Sequence, residues 1–491
     1  MSEWQNRWLI NGTLTTTSPL HIGGDLPCPM DLYPKADKKK KQTVDVTTVV
    51  SDYRGRAYIP GSTIKGNLRA WMETDGCNTA LIKTIFGSDH KEKEGQIGGK
   101  AEFHDAFVTE NMPDVIEHPP YWNIERLTGV TASVALNRTT GTAEDKKLFH
   151  LEYVPFGVSF SVRITGQDLD NAEVALLLYA IENGLGKEAK RPMAFGAFTA
   201  NGWGRMIWNN TTVRRTARED VMAWLETPAD TRYDISTQFA SDDPIQAAND
   251  HEPSSPDMLA IALKLNFDGP FLVNDQSKSK KVTGEDHDAN FNPRRNTEGR
   301  VILPVESFRG AFRSQAERII RTIHGHACTP QKPCAAITKQ DDVKKLCLAC
   351  QLFGASGWKT LIEIPQFILS NNPQDRTQEF LAIDRFTGGG KDGAKFNARV
   401  VVSPHFTGEI KIDVRRSKTW MFGLLALTLR DLCEGDITFG FGAAKGYGTC
   451  RTKITISGNS DFTWPPAPSD KLSGFVEELH KEIKKRGANH A

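Results

Sequence analysis

Two stretches of the sequence match one another at a separation of 244 residues, and the repeat that they mark decides the fold. They read Ile59-Pro60-Gly61-Ser62-Thr63-Ile64-Lys65-Gly66-Asn67-Leu68-Arg69 and Leu303-Pro304-Val305-Glu306-Ser307-Phe308-Arg309-Gly310-Ala311-Phe312-Arg313. The proline, the basic residue, the glycine after it and the arginine three positions beyond coincide. Each stretch leads into a helical pattern, over 67–72 and 310–323. A match of this kind indicates a duplicated structural unit.

Three further pairs follow in the same order. Residues 81–88 answer 350–356 at a separation of 267, so the second copy has gained 23 residues, and these hold a cysteine cluster. Residues 135–141 answer 382–388, and strand-like runs at 148–154 and 396–402 predict a hairpin or long ribbon in each copy. The glycine-rich stretches 195–204 and 439–448 form the last pair. Four landmarks in one order predict a tandem duplication.

Length and composition fit two globular units. The chain has 491 residues, which is too long for one ordinary hydrophobic core. Charged residues make up 25% and hydrophobic residues 39%, a composition typical of folded proteins and not of disordered ones. The segment 227–257 lacks periodic apolar residues and is rich in Asp, Pro, Ser and Asn, so we interpret it as a linker. We expect a first module over 1–226, a second over 258–464, and a tail over 465–491 with a lysine-rich helix at 471–487.

Each copy has the element pattern of one fold class. It runs strand, loop, helix, irregular insertion, strands, second helix, glycine-rich loop and strand, with the second helices at 174–183 and 421–433. This order predicts an α+β fold of two tandem ferredoxin-like domains with large insertions, including a projecting hairpin in each.

Charge and hydropathy limit the location and the partners. No apolar run approaches the roughly 20 residues needed to span a membrane, and the first residues lack a secretory signal pattern, so we expect a cytoplasmic protein without membrane contact. The net charge is +1, from 61 basic and 60 acidic residues. A nucleic-acid partner would therefore need positive charge concentrated in one groove or patch.

The cysteine cluster predicts a metal site. Cys328, Cys334, Cys347 and Cys350 lie within 23 residues, and the last two form a CxxC pair. Four thiolates would complete a tetrahedral Zn²⁺ site, which would then be structural. His324 and His326 are close enough to be alternative ligands in a Cys₃His site. The other interpretation is four unligated thiols.

Basic residues at the helix starts predict phosphate contacts. Lys65 and Arg69, like Arg309 and Arg313, are four residues apart and would project from one helix face near a helix N-terminus, which favours phosphate. The alternative is solvated surface charge. The glycine-rich loops would let a backbone approach a phosphate or base closely, or they are simply tight turns between a helix and a strand.

The ribbons and the long loops offer further candidates. Arg138 and Arg385 stand at the expected ribbon tips, where an arginine and an aromatic can unstack a base, although an edge hairpin is the alternative. The long loops 25–53 and 271–300 contain aspartates that could position a metal ion, a water or a ribose 2′-hydroxyl. The sequence spacing alone does not choose one of these aspartates.

Together the motifs resemble the RAMP superfamily. The residues that carry the resemblance are Leu20-His21-Ile22-Gly23-Gly24, the stretch 59–69, Asn137-Arg138-x-Thr140-Gly141 and the glycine-rich loop; the second copy keeps Asp384-Arg385-x-Thr387-Gly388. More narrowly, they resemble the backbone RNase subunit of type III CRISPR effector complexes. Two copies in one chain look like the tandem fusion of type III-D systems.

The resemblance implies a function and a set of partners. Such subunits bind CRISPR RNA together with other type III effector subunits, and a thumb hairpin from each displaces a base in the guide–target duplex. The target RNA is then cut beside the flipped base by its own 2′-hydroxyl, with Mg²⁺ or another divalent metal. The implied RNA-binding residues are His21, Ser62, Lys65, Arg69, Arg138, Asn201, Trp203, Arg309, Arg313, Arg385, Lys445 and Tyr447.

The resemblance also implies a catalytic aspartate ahead of the Ile-Pro-Gly-Ser motif. Counting back from Gly61 gives Asp45. The same count in the second copy gives Ala289, so that its candidates are the neighbouring Asp288 and then Asp286. Two alternatives stay open: a non-catalytic guide-binding scaffold, and a precursor CRISPR RNA processing nuclease that would use a histidine such as His21.

Overall fold

The computed structural model describes residues 5–24, 27–32, 43–88, 96–109, 121–137, 143–189, 191–228, 231, 237–239, 258–275, 289–296, 298–457 and 470–488. The helices are α1 Gly61–Asp75, α2 Thr79–Phe86, α3 Asn171–Leu185, α4 Val221–Glu226, α5 Val305–Thr322, α6 Leu348–Phe353, α7 Thr419–Glu434 and α8 Asp470–Ala488. The strands of the first half are β1 Asn6–Thr16, β2 Cys28–Asp31, β3 Thr43–Thr47, β4 Tyr58–Ile59, β5 Ala101–Phe103, β6 Ala106–Val108, β7 Gly129–Leu136, β8 Ala143–Tyr153, β9 Ser159–Gln167, β10 Met206–Ala217 and β11 Thr237–Phe239. Those of the second half are β12 Met258–Phe267, β13 Pro270–Phe271, β14 Ile362–Glu363, β15 Ile368–Leu369, β16 Gln374–Ile383, β17 Gly390–Val402, β18 His405–Asp413 and β19 Cys450–Ser457.

Both halves contain the same antiparallel sheet. In the first half the order is β11-β10-β1-β9-β6-β4, with β5 also paired to β9. In the second half the order is β14-β18-β12-β19, with β15 also paired to β18. In the first half β1 lies between β10 and β9, and in the second half β12 lies between β19 and β18. This strand order is the ferredoxin-like arrangement. The predicted α+β fold with two ferredoxin-like units is confirmed.

The first long helix of each half begins directly after a proline. Pro60 has φ −58° and ψ 137°, and Pro304 has φ −60° and ψ 137°. A proline lacks the N–H that a preceding strand would need and is restricted in φ, so it ends the strand and lets the helix begin. In the first half the Gly61 N–H donates to Asp105 Oδ1 at 2.8 Å. The helices therefore begin five or six residues before the apolar pattern that predicted them.

Two long hairpins depart from the sheets, as the strand-like runs predicted. Strands β7 and β8 pair in the first half and β16 and β17 in the second. In the first half β3 runs parallel to β8 and antiparallel to β2, which gives a four-stranded sheet β2-β3-β8-β7. We call β7–β8 and β16–β17 the thumb hairpins.

Each half has its own apolar core, and the C-terminal helix belongs to the second one. The predicted helix at 471–487 is present as α8 and packs against α7. Leu479 and Ile483 are buried in the core of the second half. Strand β11, which lies inside the predicted linker 227–257, pairs with β10. No helix in the described part of the chain is long and apolar enough to cross a membrane.

The glycine-rich loop of the first half packs against the second half. Its short 3₁₀ turn Thr199–Asn201 contacts α5 and β14. Gly202 follows with φ +81°, and a Cβ there would lie 2.5 Å from the carbonyl oxygen of Pro365. Arg205 forms an ion pair with Glu363 across this junction. The two modules are therefore joined by a packed contact.

Candidate functional site

Matching backbone hydrogen bonds align the two halves where the sequence alone offers no landmark. Gly24 N donates to Thr48 O at 2.8 Å, and Asp275 N donates to Asn292 O at 2.8 Å. Further along, Asp52 N donates to Arg56 O at 2.8 Å, and Asn296 N donates to Arg300 O at 2.9 Å. The separation at Thr48/Asn292 and at Arg56/Arg300 is the same 244 residues that relates the two proline motifs.

The catalytic candidates therefore differ between the halves. With no insertion between Thr48 and the helix, the counterpart of Asp45 is Ala289, as counting from the motif predicted. Asp45 is exposed on β3, whereas Ala289 is only 4% exposed. We expected Asp45 in a loop, but it lies in a strand, because β3 pairs with β2 and with the thumb strand β8. Asp286 and Asp288 lie outside the described residues.

The first strand and the thumb meet at His21 and Glu152. The Nδ1 of His21 lies 2.7 Å from the backbone oxygen of Glu152, so Nδ1 carries the proton that is donated. Burial lowers the pKa of His21 below 6.5, and its hydrogen bond to the Glu152 backbone offsets this only in part. The side chain is 3% exposed and contacts the ring of Phe198. His21 is thus buried between the segment that follows β1 and the thumb strand β8.

The Glu152 carboxylate is a buried anchor that the sequence analysis did not identify. Arg126 donates to it from Nε at 2.7 Å and from Nη2 at 3.1 Å, and Thr128 donates at 2.6 Å. Val49 N donates to Glu152 Oε2 at 3.0 Å. These bonds tie the end of the Asp45 strand to the thumb strand. The available signal was a charged residue within an otherwise apolar strand run, Leu151-Glu152-Tyr153-Val154.

The basic helix start of the first half is partly available. Ser62 is exposed and Lys65 is half-buried on α1. Arg69 donates to Glu73 at 2.8 Å and to the carbonyl oxygen of Gly87 at 3.4 Å. Arg69 therefore links α1 to the end of α2, and Ser62 and Lys65 are the better placed for a ligand.

In the second half the arginines are not on the exposed face that we expected. Arg309 is 9% exposed and donates to the carbonyl oxygens of Phe353 and Ile362, and burial lowers its pKa to about 10. Arg313 donates to Glu317 at 2.8 Å and to the carbonyl oxygen of Gly354 at 3.2 Å. Both guanidinium groups are used within the fold, because α6 and the segment after it lie over them.

The tip of the second thumb is the most exposed candidate surface. Asp384 Oδ1 accepts the N–H groups of Phe386 and Thr387 at 2.9 and 3.0 Å, which shapes the turn. Arg385 is exposed and the side chain of Phe386 is 100% exposed. An arginine beside an unshielded aromatic ring suits stacking on a base. Arg138, its counterpart in the first thumb, lies outside the described residues.

The aromatic residues of the glycine-rich loops are buried. Trp203 packs against Phe198 and Tyr153 at ring distances of 5.5 and 5.6 Å. Tyr447 is buried beside the second thumb. These two rings pack within the fold, and their direct contact with RNA stays a prediction. Asn201 is half-buried at the module junction, and Lys445 is exposed with its ammonium 5.8 Å from the ring of Phe380.

The four cysteines of the insertion converge. Cys328, Cys334, Cys347 and Cys350 place their sulfurs within 4.8 Å of one another, a group that could hold a metal ion. Cys347 N points to Cys334 Sγ at 3.3 Å, and Cys350 N points to Cys347 Sγ at 3.5 Å. His324 and His326 are exposed and do not belong to this group. The Cys₄ alternative is the one that the geometry supports.

Comparison with known proteins agrees with the repeat. A family model described as the RAMP superfamily matches the chain twice, over residues 13–207 and 266–451. Each match includes the two long helices, the thumb hairpin and the glycine-rich loop of one unit, and it begins within β1 or β12 and ends within β10 or β19. No curated protein matches the chain.

Proposed function

Because the chain belongs to the RAMP superfamily and carries its domain twice, we propose that it is a CRISPR RNA-binding backbone subunit of a type III effector complex. In this proposal each module grips the guide RNA, and each thumb displaces one base of the guide–target duplex. The target RNA is cut beside the displaced base of the first module. Other type III effector subunits and the target RNA are the remaining partners.

The observation that supports cleavage is the position of Asp45. Its exposed carboxylate stands on β3, one residue before Val46, which pairs with His150 of the thumb strand. We propose that the phosphodiester beside the displaced base lies against this strand. The second module has the buried Ala289 at the same place. Guide binding without cutting is therefore the function we propose for the second module, unless Asp288 or Asp286 substitutes.

The chemistry proposed for Asp45 is transfer within the RNA chain. The ribose 2′-oxygen attacks the adjacent phosphorus in line, the bond from phosphorus to the 5′-oxygen breaks, and the products are a 2′,3′-cyclic phosphate and a 5′-hydroxyl. A divalent cation such as Mg²⁺ would supply charge stabilisation at the phosphate when bound. Asp45 would hold that cation or orient the attacking hydroxyl.

The RNA contacts that we propose are exposed, apart from the half-buried Lys65. Ser62 and Lys65 lie near the start of α1, Lys445 lies on the second glycine-rich loop, and Arg385 with Phe386 forms the thumb tip. We retain Arg138, Asn201 and Arg69 as candidate contacts. Arg309 and Arg313 are better explained as packing residues, since backbone carbonyls and Glu317 accept their hydrogen bonds.

We further propose that the cysteine cluster holds a structural Zn²⁺ ion. The four sulfurs are close enough to share one ion, and two backbone N–H groups point at ligand sulfurs, a feature that stabilises thiolates. Four cysteine ligands leave no open position for catalysis. Zinc would join the end of α5, the insertion and α6 into one unit.

The test is cleavage of a labelled target RNA by the complex assembled on a matching guide. Asp45→Ala should remove one cut and leave guide binding unchanged, whereas Asp288→Ala and Asp286→Ala should leave that cut in place. Loss of a second cut in either of these variants would show that the second module also cleaves. An unchanged cleavage pattern in Asp45→Ala and both other variants would establish the scaffold interpretation and refute the nuclease proposal.

A further inference from the structure

Arg313 joins helix α5 to the cysteine cluster. Its Nη2 lies 3.1 Å from Cys350 Sγ, its Nη1 donates to the carbonyl oxygen of Gly354 at 3.2 Å, and its Nε donates to Glu317 at 2.8 Å. Glu317 is fully buried. One guanidinium group therefore contacts a candidate metal ligand and the backbone that immediately follows α6, on which that ligand is carried.

The first module contains the same arginine without the cluster. Arg69 donates to Glu73 at 2.8 Å and to the carbonyl oxygen of Gly87 at 3.4 Å, which matches two of the three contacts of Arg313. Gly87 N donates to Lys83 O at 2.9 Å, and Gly354 N donates to Cys350 O at 2.9 Å. Lys83 therefore stands where Cys350 stands. The contact with sulfur is what the second module has added to a shared packing arginine.

The negative charge of a zinc-loaded cluster explains how the contact between Arg313 and Cys350 would stabilise the site. Four thiolates and one Zn²⁺ carry a net charge of −2, and three of the four cysteines are buried. A buried charge is costly unless an opposite charge or hydrogen-bond donors compensate it. The guanidinium of Arg313 supplies both at Cys350, and Glu317 and the carbonyl oxygen of Gly354 fix its orientation.

We propose that Arg313 is a positioning residue for the metal, holding the Cys350 thiolate in place and offsetting part of the cluster's negative charge. The inference rests on the proposed zinc site. It assigns the arginine of the repeated motif a further task in the second module: both arginines pack α1 or α5 against the following helix, and only Arg313 also retains a metal.

The experiment measures how fast the full-length protein releases zinc to a chromogenic chelator. Arg313→Met is compared with Arg69→Met, which loses the equivalent packing contacts at a site without cysteines. Substitution of a group that hydrogen-bonds to a metal ligand commonly weakens metal binding on the order of 10–100-fold, so Arg313→Met should release zinc faster by about that factor. Arg69→Met should release zinc at the wild-type rate. Circular dichroism at the assay temperature checks that both variants are folded.

The outcomes separate the two proposals. Wild-type protein that binds no stoichiometric zinc would refute the metal site itself. Zinc-loaded wild type with equal release from the Arg313→Met and Arg69→Met variants would refute the role of Arg313 alone. If Arg313→Met does not fold, Arg313→Lys against Arg69→Lys decides the question, since lysine keeps the charge but cannot span the three contacts. Faster release only at position 313 supports the proposal, and equal release overturns it.

Discussion

Asp45 and Ala289 occupy equivalent positions in the two modules. Asp45 lies three residues before Thr48, whose carbonyl oxygen accepts a hydrogen bond from Gly24 N, and Ala289 lies three residues before Asn292, whose carbonyl oxygen accepts one from Asp275 N. The carboxylate is exposed in the first module, and the methyl group is buried in the second. The duplicated modules thus share a backbone hydrogen bond near this position and differ in the side chain that the position carries.

Exchanging the two side chains should have very unequal effects on stability. Ala289→Asp places a carboxylate in a buried position without a partner and should lower the free energy of unfolding by about 1–3 kcal/mol. Asp45→Ala removes an exposed group and should change it by less than about 0.5 kcal/mol. Urea denaturation measures both. An equally stable Ala289→Asp protein would contradict the burial of this position.

The second thumb tip should contribute to RNA binding and not to folding. Phe386→Ala should leave the melting temperature unchanged, because the ring is entirely exposed. Loss of one stacked base should weaken binding to guide–target RNA by about 1–3 kcal/mol. Fluorescence of a base analogue placed in the duplex measures the unstacking. Ile368→Ala, which removes another exposed apolar side chain away from the tip, is the matched control and should bind normally.

Glu152 should be essential for the base of the first thumb. Glu152→Gln leaves the partly buried Arg126 without its charge partner and should cost about 3–5 kcal/mol. Glu73→Gln breaks the more exposed pair with Arg69 and should cost less than about 1 kcal/mol. Chemical denaturation followed by intrinsic fluorescence distinguishes the two. Similar losses in both variants would refute the anchoring role.

Acid should destabilise the first module through His21. Burial lowers its pKa below 6.5 in the folded state, so the unfolded chain takes up the proton more readily. The stability that the neutral His21 contributes is fully present above pH 6.5, the pKa of His21 in the unfolded chain, and is lost as the pH falls below that value. The pKa of His150 is lowered for the same reason, in the same direction. His21→Gln should flatten the decrease in stability between about pH 7 and pH 5, while the exposed His326→Gln should not.

Removal of metal should loosen one module only. Hydrogen exchange in the presence of a strong chelator should accelerate over 346–353 and leave the equivalent helix 79–86 unchanged. The reason is that only the segment 346–353 contains cluster cysteines, Cys347 and Cys350. Equal protection of both segments with and without chelator would show that metal plays no part in folding.

The sequence predicted the elements that local patterns encode. The repeat, the fold class, the thumbs and the second long helices followed from periodicity and matched landmarks. The position of Asp45 could be counted because no insertion separates it from Pro60. Contacts between distant segments could not be predicted: Arg309 was expected on an exposed helix face as a phosphate contact, because its acceptors, Phe353 and Ile362, come more than forty residues later. Glu152 was overlooked for the same reason, since two of its donors, Val49 and Arg126, are distant in sequence.

The place of helix α8 determines when each module can finish folding. Among the described residues, the core of the first module draws on none beyond Val213, so it can close while the ribosome is still translating the second. The core of the second module includes Leu479 and Ile483 and cannot close until those residues have emerged. Until then, the face of α7 that packs against α8 is uncovered.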